Sequence, residues 1–213
     1  MHRTILLPAA LFFATMYGAT IPTPAVDIDP ATAKGRQTAV FAGGCFWCTE
    51  AVFEQLAGVS AVVSGYAGGD ARTAHYEMVG SGKTEHAESI EITFDPKKIS
   101  FGKLLTVFFA VAHDPTQVNR QGPDYGPQYR SAIFYRDAEQ KRVAEAYIKQ
   151  LNEAKAFKEP IATQVTMLKA FYAAEDYHQD FVKRNPNHPY VVANSLPKLS
   201  KLKKQFPELL KQK

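Results

Sequence analysis

The alternation of apolar and polar residues divides the chain into short strands and amphipathic helices. A two-residue period or a short apolar run predicts strands over residues 37–42, 58–66, 86–94, 129–135 and 163–169. Helical spacing predicts helices over residues 49–56, 101–112, 137–157 and 174–185. This order predicts an α+β fold with helices on a mixed or antiparallel sheet. We expect a ferredoxin-like two-layer core with an extra C-terminal helix and loops.

Two segments between these elements lack a clear period. Residues 70–83 are expected to form a loop that presents Tyr76, and residues 116–128 form a polar loop that contains Asp124. A long loop inside a compact domain is more often functional than neutral. The second loop is therefore a candidate for part of a functional site.

The third predicted strand carries a carboxylate on its apolar face. Glu88 falls on the same face as Ile90, Ile92 and Phe94. Desolvation raises the pKa of a carboxyl, so a buried Glu88 would be a protonated acid near neutral pH. If Glu88 instead lies at the strand end in contact with water, its carboxyl would have an ordinary pKa. Periodicity alone leaves both interpretations open.

The residues between the first strand and the first helix have the most reactive composition. Cys45, Trp47 and Cys48 directly follow Gly43 and Gly44, and the chain has no other cysteine or tryptophan. A cysteine at the start of a helix faces open backbone N–H groups, which favour the thiolate. That effect is typically about 0.3–1 kcal/mol, against roughly 1.4 kcal/mol per pKa unit. Another group must therefore activate the substrate.

Two cysteines three positions apart can form a structural disulfide, a redox pair or half of a metal site. A structural zinc needs four ligands, and no second pair at ligand spacing completes the set, so we expect neither a metal nor another cofactor. A disulfide across so short a loop restricts the unfolded chain little, which leaves reactivity. Cys48, one helical turn from Cys45, is either a redox partner or a small buried hydrophobe.

The N-terminus has the pattern of a secretory signal peptide. Arg3 precedes an apolar run over residues 5–14 that is shorter than a membrane span, and Thr23-Pro24-Ala25 offers small residues for cleavage. We expect a signal peptide over residues 1–25, a flexible leader over 26–36, one domain over 37–195 and a basic tail over 196–213. The protein would be exported, as a periplasmic or secreted protein. An uncleaved membrane anchor is the alternative.

The charge of the chain does not indicate a polyanionic partner. The net charge is +4, and much of the excess lies in the lysines of residues 198–213. Aromatic residues other than Phe206 do not interleave with these lysines, so we expect no nucleic-acid binding. We also expect a monomer without stable membrane association once the signal peptide is removed.

Several motifs follow one another in the chain. They are Gly44-Cys45-Phe46-Trp47, Ser64-Gly65-Tyr66-Ala67-Gly68-Gly69, His86-Ala87-Glu88, His113-Asp114-Pro115-Thr116, Gln128-Tyr129-Arg130-Ser131 and Ala174-Glu175-Asp176-Tyr177-His178-Gln179. In these motifs and their order, about residues 38–190 resemble the A-type peptide methionine sulfoxide reductases. The resemblance implies reduction of the S-epimer of methionine sulfoxide, free or in oxidised proteins, and thus protein repair after oxidative stress.

The resemblance also implies roles for single residues. Cys45 would attack the sulfoxide sulfur, and Glu88 would protonate its oxygen, which supplies the activating group that the weak helix dipole requires. The other site residues would be Tyr76 and Tyr129 as hydrogen-bond donors to that oxygen, Asp124 as an organising residue, and Phe46 and Trp47 as the wall that holds the S-methyl group.

Attack would leave a sulfenic acid on Cys45, with which a second thiol must condense. Many family members use a cysteine near the C-terminus, and this chain has none there. We favour Cys48 as the resolving thiol, with a thioredoxin-like dithiol as reductant. If Cys48 only packs, an external thiol must act directly. Two other functions remain open: a general thiol–disulfide oxidoreductase that uses both cysteines, and a non-catalytic module with an aromatic cage.

Overall fold

The structure, a computed structural model, describes residues 21–212. The strands in this part of the chain are β1 (Gln37–Gly43), β2 (Val59–Ala67), β3 (Ala87–Phe94), β4 (Arg120–Gln121), β5 (Asp124–Tyr125), β6 (Ser131–Tyr135), β7 (Gln164–Met167) and β8 (Phe171–Ala173). The helices are α1 (Phe46–Glu54), α2 (Tyr76–Gly80), α3 (Phe101–Val107), α4 (Ala138–Glu153), α5 (Phe181–Arg184) and α6 (Leu196–Gln205). Short π-helices follow α3 and precede α6, at Phe108–Ala112 and Val191–Ser195.

One sheet of six strands forms the centre of the fold, in the order β7-β6-β1-β3-β2-β8. Its pairings are antiparallel except for the parallel pair of β6 and β7. The strands β4 and β5 form a separate hairpin in the long polar loop. The predicted α+β class with a mixed sheet is confirmed, while the ferredoxin-like assignment of the core stays a prediction.

Aromatic side chains join α1 and α3 to the sheet. The ring centroid of Phe41 in β1 lies 5.8 Å from that of Phe53 in α1, 5.9 Å from Phe101 and 4.9 Å from Phe108. Such contacts add about 0.5–1.5 kcal/mol each beyond the burial of the rings. This packing fixes α1 over the end of β1, where Cys45 lies.

Near the site, α1 begins earlier than predicted, and α2 forms where a loop was predicted. α1 begins at Phe46 rather than at residue 49, because the Cys45 carbonyl already accepts the N–H of Cys48 at 3.1 Å. The segment that presents Tyr76 is not a loop, since Tyr76 is the first residue of α2. Side chains from distant parts of the chain, described below, hold this short helix.

The C-terminal third differs most from the prediction. In place of a helix over residues 174–185, the structure has β8, a turn and the one-turn helix α5. Residues 196–210 were expected to form a tail, and they pack on the domain. Leu202 of α6 is fully buried, and Leu210 pairs with Leu56 after α1.

The segment before β1 also contacts the domain. The Asp27 carboxylate accepts hydrogen bonds from the Ser100 hydroxyl at 2.5 Å and from the Gly102 N–H at 2.8 Å, at the start of α3. The Tyr147 hydroxyl of α4 donates to the Pro22 carbonyl at 2.7 Å. The predicted signal peptide falls largely on residues 1–20, outside the described residues. Within residues 21–212, no helix has the length and apolar character of a membrane span.

Candidate active site

The end of β1 and the start of β3 lie side by side because these strands are antiparallel neighbours. Gly44 turns the chain out of β1 with a φ of +82°, and a Cβ there would lie 2.4 Å from Gln121 Cγ, so only glycine fits. Cys45 follows at the start of α1. The Phe46 N–H donates to Glu88 Oε2 of β3 at 3.0 Å, which places the carboxyl beside Cys45.

A cavity of about 180 Å³ opens beside Cys45. It is lined by Cys45, Phe46, Trp47, Tyr76, Glu88, Asp124, Tyr129 and Tyr190. The structure therefore brings together every predicted site residue except Cys48, which lies behind the cavity wall. Tyr190 is an addition that the sequence did not predict.

Glu88 is the buried acid of this cavity. Its side chain is 3% exposed, and burial raises its pKa to about 8, with the charges of Asp124 and Cys48 acting in the same direction. The hydrogen bond from the Phe46 N–H opposes this shift. Periodicity left open whether Glu88 is buried or in contact with water, and in the structure it is buried. Near neutral pH Glu88 carries a proton and can donate it.

His178 holds the aromatic wall in place. The Trp47 indole N–H donates to His178 Nδ1 at 3.0 Å. The Trp47 ring stacks on Phe181, with 3.7 Å between the ring centroids and 7° between the planes. The Phe46 ring centroid lies 4.9 Å from the imidazole. Burial lowers the pKa of His178, so the imidazole stays neutral and Nδ1 remains an acceptor. His178 belongs to a recognised motif, but the sequence did not indicate this role.

Glu175 positions Tyr76. Its Oε1 accepts the Tyr76 N–H at 2.9 Å at the start of α2, and its Oε2 accepts the Tyr66 hydroxyl of β2 at 2.8 Å. Desolvation raises the pKa of Glu175, but its hydrogen bonds, including those from Tyr76 and Tyr66, outweigh this effect and lower the pKa, so Glu175 is a carboxylate. A single charged side chain thus joins α2 to the sheet and aims the Tyr76 ring at the cavity.

Arg130 positions Tyr129. Its guanidinium donates to the carbonyls of Pro127 at 2.8 Å, Glu85 at 2.7 Å and His86 at 3.1 Å. These bonds tie the turn that carries Tyr129 to the residues just before β3. Burial and the charge of the nearby acids raise the pKa of Tyr129, so its hydroxyl remains a donor.

Tyr190 joins the site from the C-terminal segment. Its hydroxyl donates to Asp124 Oδ2 at 2.5 Å. Burial raises the pKa of Asp124, and the hydrogen bond from Tyr190 partly offsets that rise. Tyr190 lies where the recognised motifs end, in a stretch without periodicity, so its only sequence cue is an aromatic residue in an irregular segment.

Comparison with known proteins identifies the family. Residues 37–210 match the family described as peptide methionine sulfoxide reductase. A curated relative from Synechocystis, peptide methionine sulfoxide reductase MsrA 2, is 57% identical over 94% of each chain. Another MsrA 2, from Mesorhizobium japonicum, is 54% identical over 87% of this chain and 95% of its own. The chain belongs to the peptide methionine sulfoxide reductase family.

Solved structures of the family share this fold. Methionine sulfoxide reductase A of Corynebacterium diphtheriae superposes with a TM-score of 0.65 at 34% identity, over 78% of this chain and 84% of its own. Reduced Mxr1 of Saccharomyces cerevisiae superposes with a TM-score of 0.65 at 30% identity, over 79% and 94%. The resemblance to the A type and the reduction of methionine sulfoxide are confirmed. This activity replaces the two alternatives, a general thiol–disulfide oxidoreductase and a non-catalytic module with an aromatic cage.

The two thiols of this reductase have opposite tendencies. Burial, followed by the hydrogen bond and charge of Cys48, raises the pKa of Cys45 well above its usual value. The neighbouring Cys45 lowers the pKa of Cys48 against the opposing effect of burial, with help from Lys198 and Ser195. We expected the helix start to favour a Cys45 thiolate. In the structure, burial outweighs that effect, and the Phe46 N–H is engaged by Glu88.

Proposed function

We propose that the chain reduces the S-epimer of methionine sulfoxide, free or in oxidised proteins, with Cys45 as nucleophile and Glu88 as acid. One observation carries the proposal: a single small cavity is lined by a thiol, a carboxyl whose pKa of about 8 keeps it protonated, and an aromatic wall. A sulfoxide needs all three, because its oxygen is a poor leaving group until it is protonated.

The first step transfers the sulfoxide oxygen to the enzyme. Glu88 donates its proton to that oxygen, which makes the substrate sulfur electrophilic, and the Cys45 sulfur attacks it. The substrate S–O bond then breaks as its oxygen moves to the Cys45 sulfur, and the bond between the two sulfurs breaks with its electron pair going to the substrate. The products are the sulfide and a sulfenic acid on Cys45. Two electrons pass from Cys45 to the substrate. The thiol proton replaces the one that Glu88 donated, so the acid is ready for another turnover.

The remaining cavity residues orient the substrate in this proposal. The hydroxyls of Tyr76 and Tyr129 donate to the sulfoxide oxygen, and Asp124 orders the site through Tyr190. Phe46 and Trp47 hold the S-methyl group. The hydrogen bond from Trp47 to His178 supports this role, because it fixes the indole plane at the cavity wall.

Cys48 then resolves the sulfenic acid. Its sulfur attacks that of Cys45, an S–S bond forms, the S–OH bond breaks, and the hydroxide leaves as water with a proton. A thioredoxin-like dithiol next supplies two electrons by attacking the Cys45 sulfur. Cys45 is 8% exposed and Cys48 only 1%, which favours attack at Cys45.

An epimer-resolved assay tests the activity. The full chain is incubated with both epimers of methionine sulfoxide, first with dithiothreitol and then with thioredoxin and its reductase. We expect loss of the S-epimer while the R-epimer persists. Equal consumption of both epimers, or consumption of neither, would contradict the proposal.

A Cys48→Ser variant tests the recycling step. Because the first step uses only Cys45, one equivalent of methionine should still form before any reductant is added. Thioredoxin-driven turnover should fall by at least about tenfold, since no disulfide forms for the dithiol to reduce. Ser200→Ala, an exposed substitution on α6, is the matched control. Thioredoxin-driven rates equal to wild type would show that Cys48 is not the resolving thiol.

We also propose that the protein is exported as a monomer, after cleavage of the N-terminal 25 residues. The charge and apolar pattern of those residues supports this proposal. N-terminal sequencing of protein from separated cell fractions tests the processing, and light scattering tests the monomer. Uncleaved protein in the cytoplasmic fraction would contradict export.

A further inference from the structure

The segment that connects α5 to α6 meets both cysteines. The π-helix Val191–Ser195 follows Tyr190, which lines the same cavity as Cys45. At the other end, Ser195 Oγ lies 3.0 Å from Cys48 Sγ. Insertions of this helix type are frequent at functional sites. One turn of backbone thus places Tyr190 at the cavity with Cys45 and Ser195 against Cys48.

The Ser195 hydroxyl has a single side-chain partner. Ser195 is fully buried, and within residues 21–212 its hydroxyl makes no side-chain hydrogen bond other than that with Cys48. A buried hydroxyl is costly unless it is hydrogen-bonded. A neutral thiol is a weak acceptor, whereas an anionic sulfur is a strong one. Either group of this pair can be the donor, and donation by the Ser195 hydroxyl is the stronger arrangement when Cys48 is ionised.

The charged surroundings of Cys48 act in both directions. Lys198, one turn further along α6, lowers the pKa of Cys48 through its charge, and Asp124 raises it. Burial also opposes ionisation, while the neighbouring Cys45 supports it. The titratable or charged groups that act on this sulfur or respond to its charge are Cys45, Glu88, Asp124, Tyr190 and Lys198.

We propose that Ser195 is a positioning residue for Cys48, whose hydroxyl holds the Cys48 sulfur as a thiolate against Cys45. The inference rests on the proposed role of Cys48 as resolving thiol. During resolution the held sulfur attacks the sulfenic acid, forming the S–S bond and releasing water. During reduction by a dithiol, Cys48 departs from Cys45 with the bonding electron pair. A thiol of low pKa leaves faster, so Ser195 assists the second event most.

A titration of one thiol tests the hydrogen bond directly. In a Cys45→Ser background, the ultraviolet absorbance of the thiolate reports only Cys48. Adding Ser195→Ala should raise the midpoint by about one pH unit, the size expected when an anion loses a hydrogen-bond donor. Ser200→Ala in the same background is the control. An unchanged midpoint with Ser195→Ala would overturn the proposal; Ser195→Gly gives the same comparison if the alanine variant does not fold.

The redox equilibrium provides the second readout. In the otherwise native chain, Ser195→Ala should make the Cys45–Cys48 disulfide harder to reduce. Its exchange constant with dithiothreitol should change by about tenfold, which lowers the reduction potential of the pair by about 30 mV for two electrons. Ser195→Thr, which keeps the hydroxyl, should restore the wild-type value. A wild-type reduction potential in Ser195→Ala would reject the positioning role of Ser195 and leave the resolving role of Cys48 intact. Unimpaired thioredoxin-driven recycling in Cys48→Ser would reject the resolving role itself, so the two failures are distinguishable.

Discussion

Cys45 and Cys48 are one helical turn apart, yet different parts of the fold determine their chemistry. Cys45 lies at the cavity, beside the protonated Glu88 of β3. Cys48 faces the C-terminal segment, with Ser195 as its hydrogen-bond partner. The local sequence supplies two similar thiols, and distant segments make one suited to meet the substrate and the other suited to ionise.

The difference follows from the cost of burying charge. Two thiolates in contact would repel each other in a poorly solvated site, so the pair holds at most one negative charge near neutral pH. The donors around Cys48 place that charge there. Burial disfavours the Cys45 thiolate, so we expect the proposed attack on the substrate to depend strongly on Glu88.

The largest expected effect comes from removing the cavity thiol. Cys45→Ser should abolish reduction completely, including the single turnover that Cys48→Ser retains, because no other side chain at the cavity can accept the oxygen. Rapid-quench measurement of methionine with excess enzyme checks this. Any burst of product comparable to wild type would mean that the two thiols are interchangeable.

Glu88→Gln should have the next largest effect. Glutamine still accepts the Phe46 N–H and nearly preserves the shape of the site, but it cannot transfer a proton. We expect the single-turnover rate to fall by about 10²–10⁴-fold, with substrate affinity mostly retained. Glu85→Gln, an exposed change just before β3, is the control. A rate within twofold of the control would show that Cys45 needs no acid.

The pH profile should separate the two thiol environments. Glu88 acts while protonated, and its folded pKa is about 8, so the single-turnover rate should hold below pH 8 and fall about tenfold per pH unit above it. In the proposed recycling step Cys48 acts as a thiolate, and its pKa lies below the usual thiol value, so recycling should weaken only as the pH falls through that lowered pKa. Measuring both rates from acid to alkaline pH checks this. Identical profiles for both steps would contradict the assignment of distinct groups.

Tyr190→Phe should have the smallest effect. It removes the hydrogen-bond donor to Asp124 while leaving the ring in the cavity wall, so we expect a loss of roughly two- to tenfold in kcat/KM. Tyr125→Phe provides a nearby control, because Tyr125 is 65% exposed. A loss as large as that of Glu88→Gln would make Tyr190 a principal acid in its own right.

The sequence located the neighbourhood of Cys45 and Glu88 through the regular elements on either side of them, while their proposed roles came from the family resemblance. The period of β3 put Glu88 on an apolar face, and antiparallel pairing with β1 brings it to Cys45. The supporting residues could not be predicted in this way. The hydrogen bond from Trp47 to His178 spans 131 positions, and irregular segments such as the one that holds Tyr190 have no period to read.

Tertiary contacts also overrode local expectations. The Tyr76 segment has no helical period, yet it begins a helix because Glu175, 99 positions away, accepts the first N–H. Likewise, a helix start favours a thiolate by only about 0.3–1 kcal/mol, and burying a charge costs more than that. The weaker local effect therefore could not decide the ionisation of Cys45.

The one-turn spacing of Cys45 and Cys48 at the start of α1 determines the kind of motion that the proposed recycling needs. Side-chain rotations occur within picoseconds to nanoseconds, whereas a cysteine on a remote segment must wait for loop motions of nanoseconds to microseconds or slower. With Cys48 as its partner, Cys45 needs only the fast motion. Residues 191–210 can stay packed through the whole cycle, so a reductant would meet the same surface before and after each turnover.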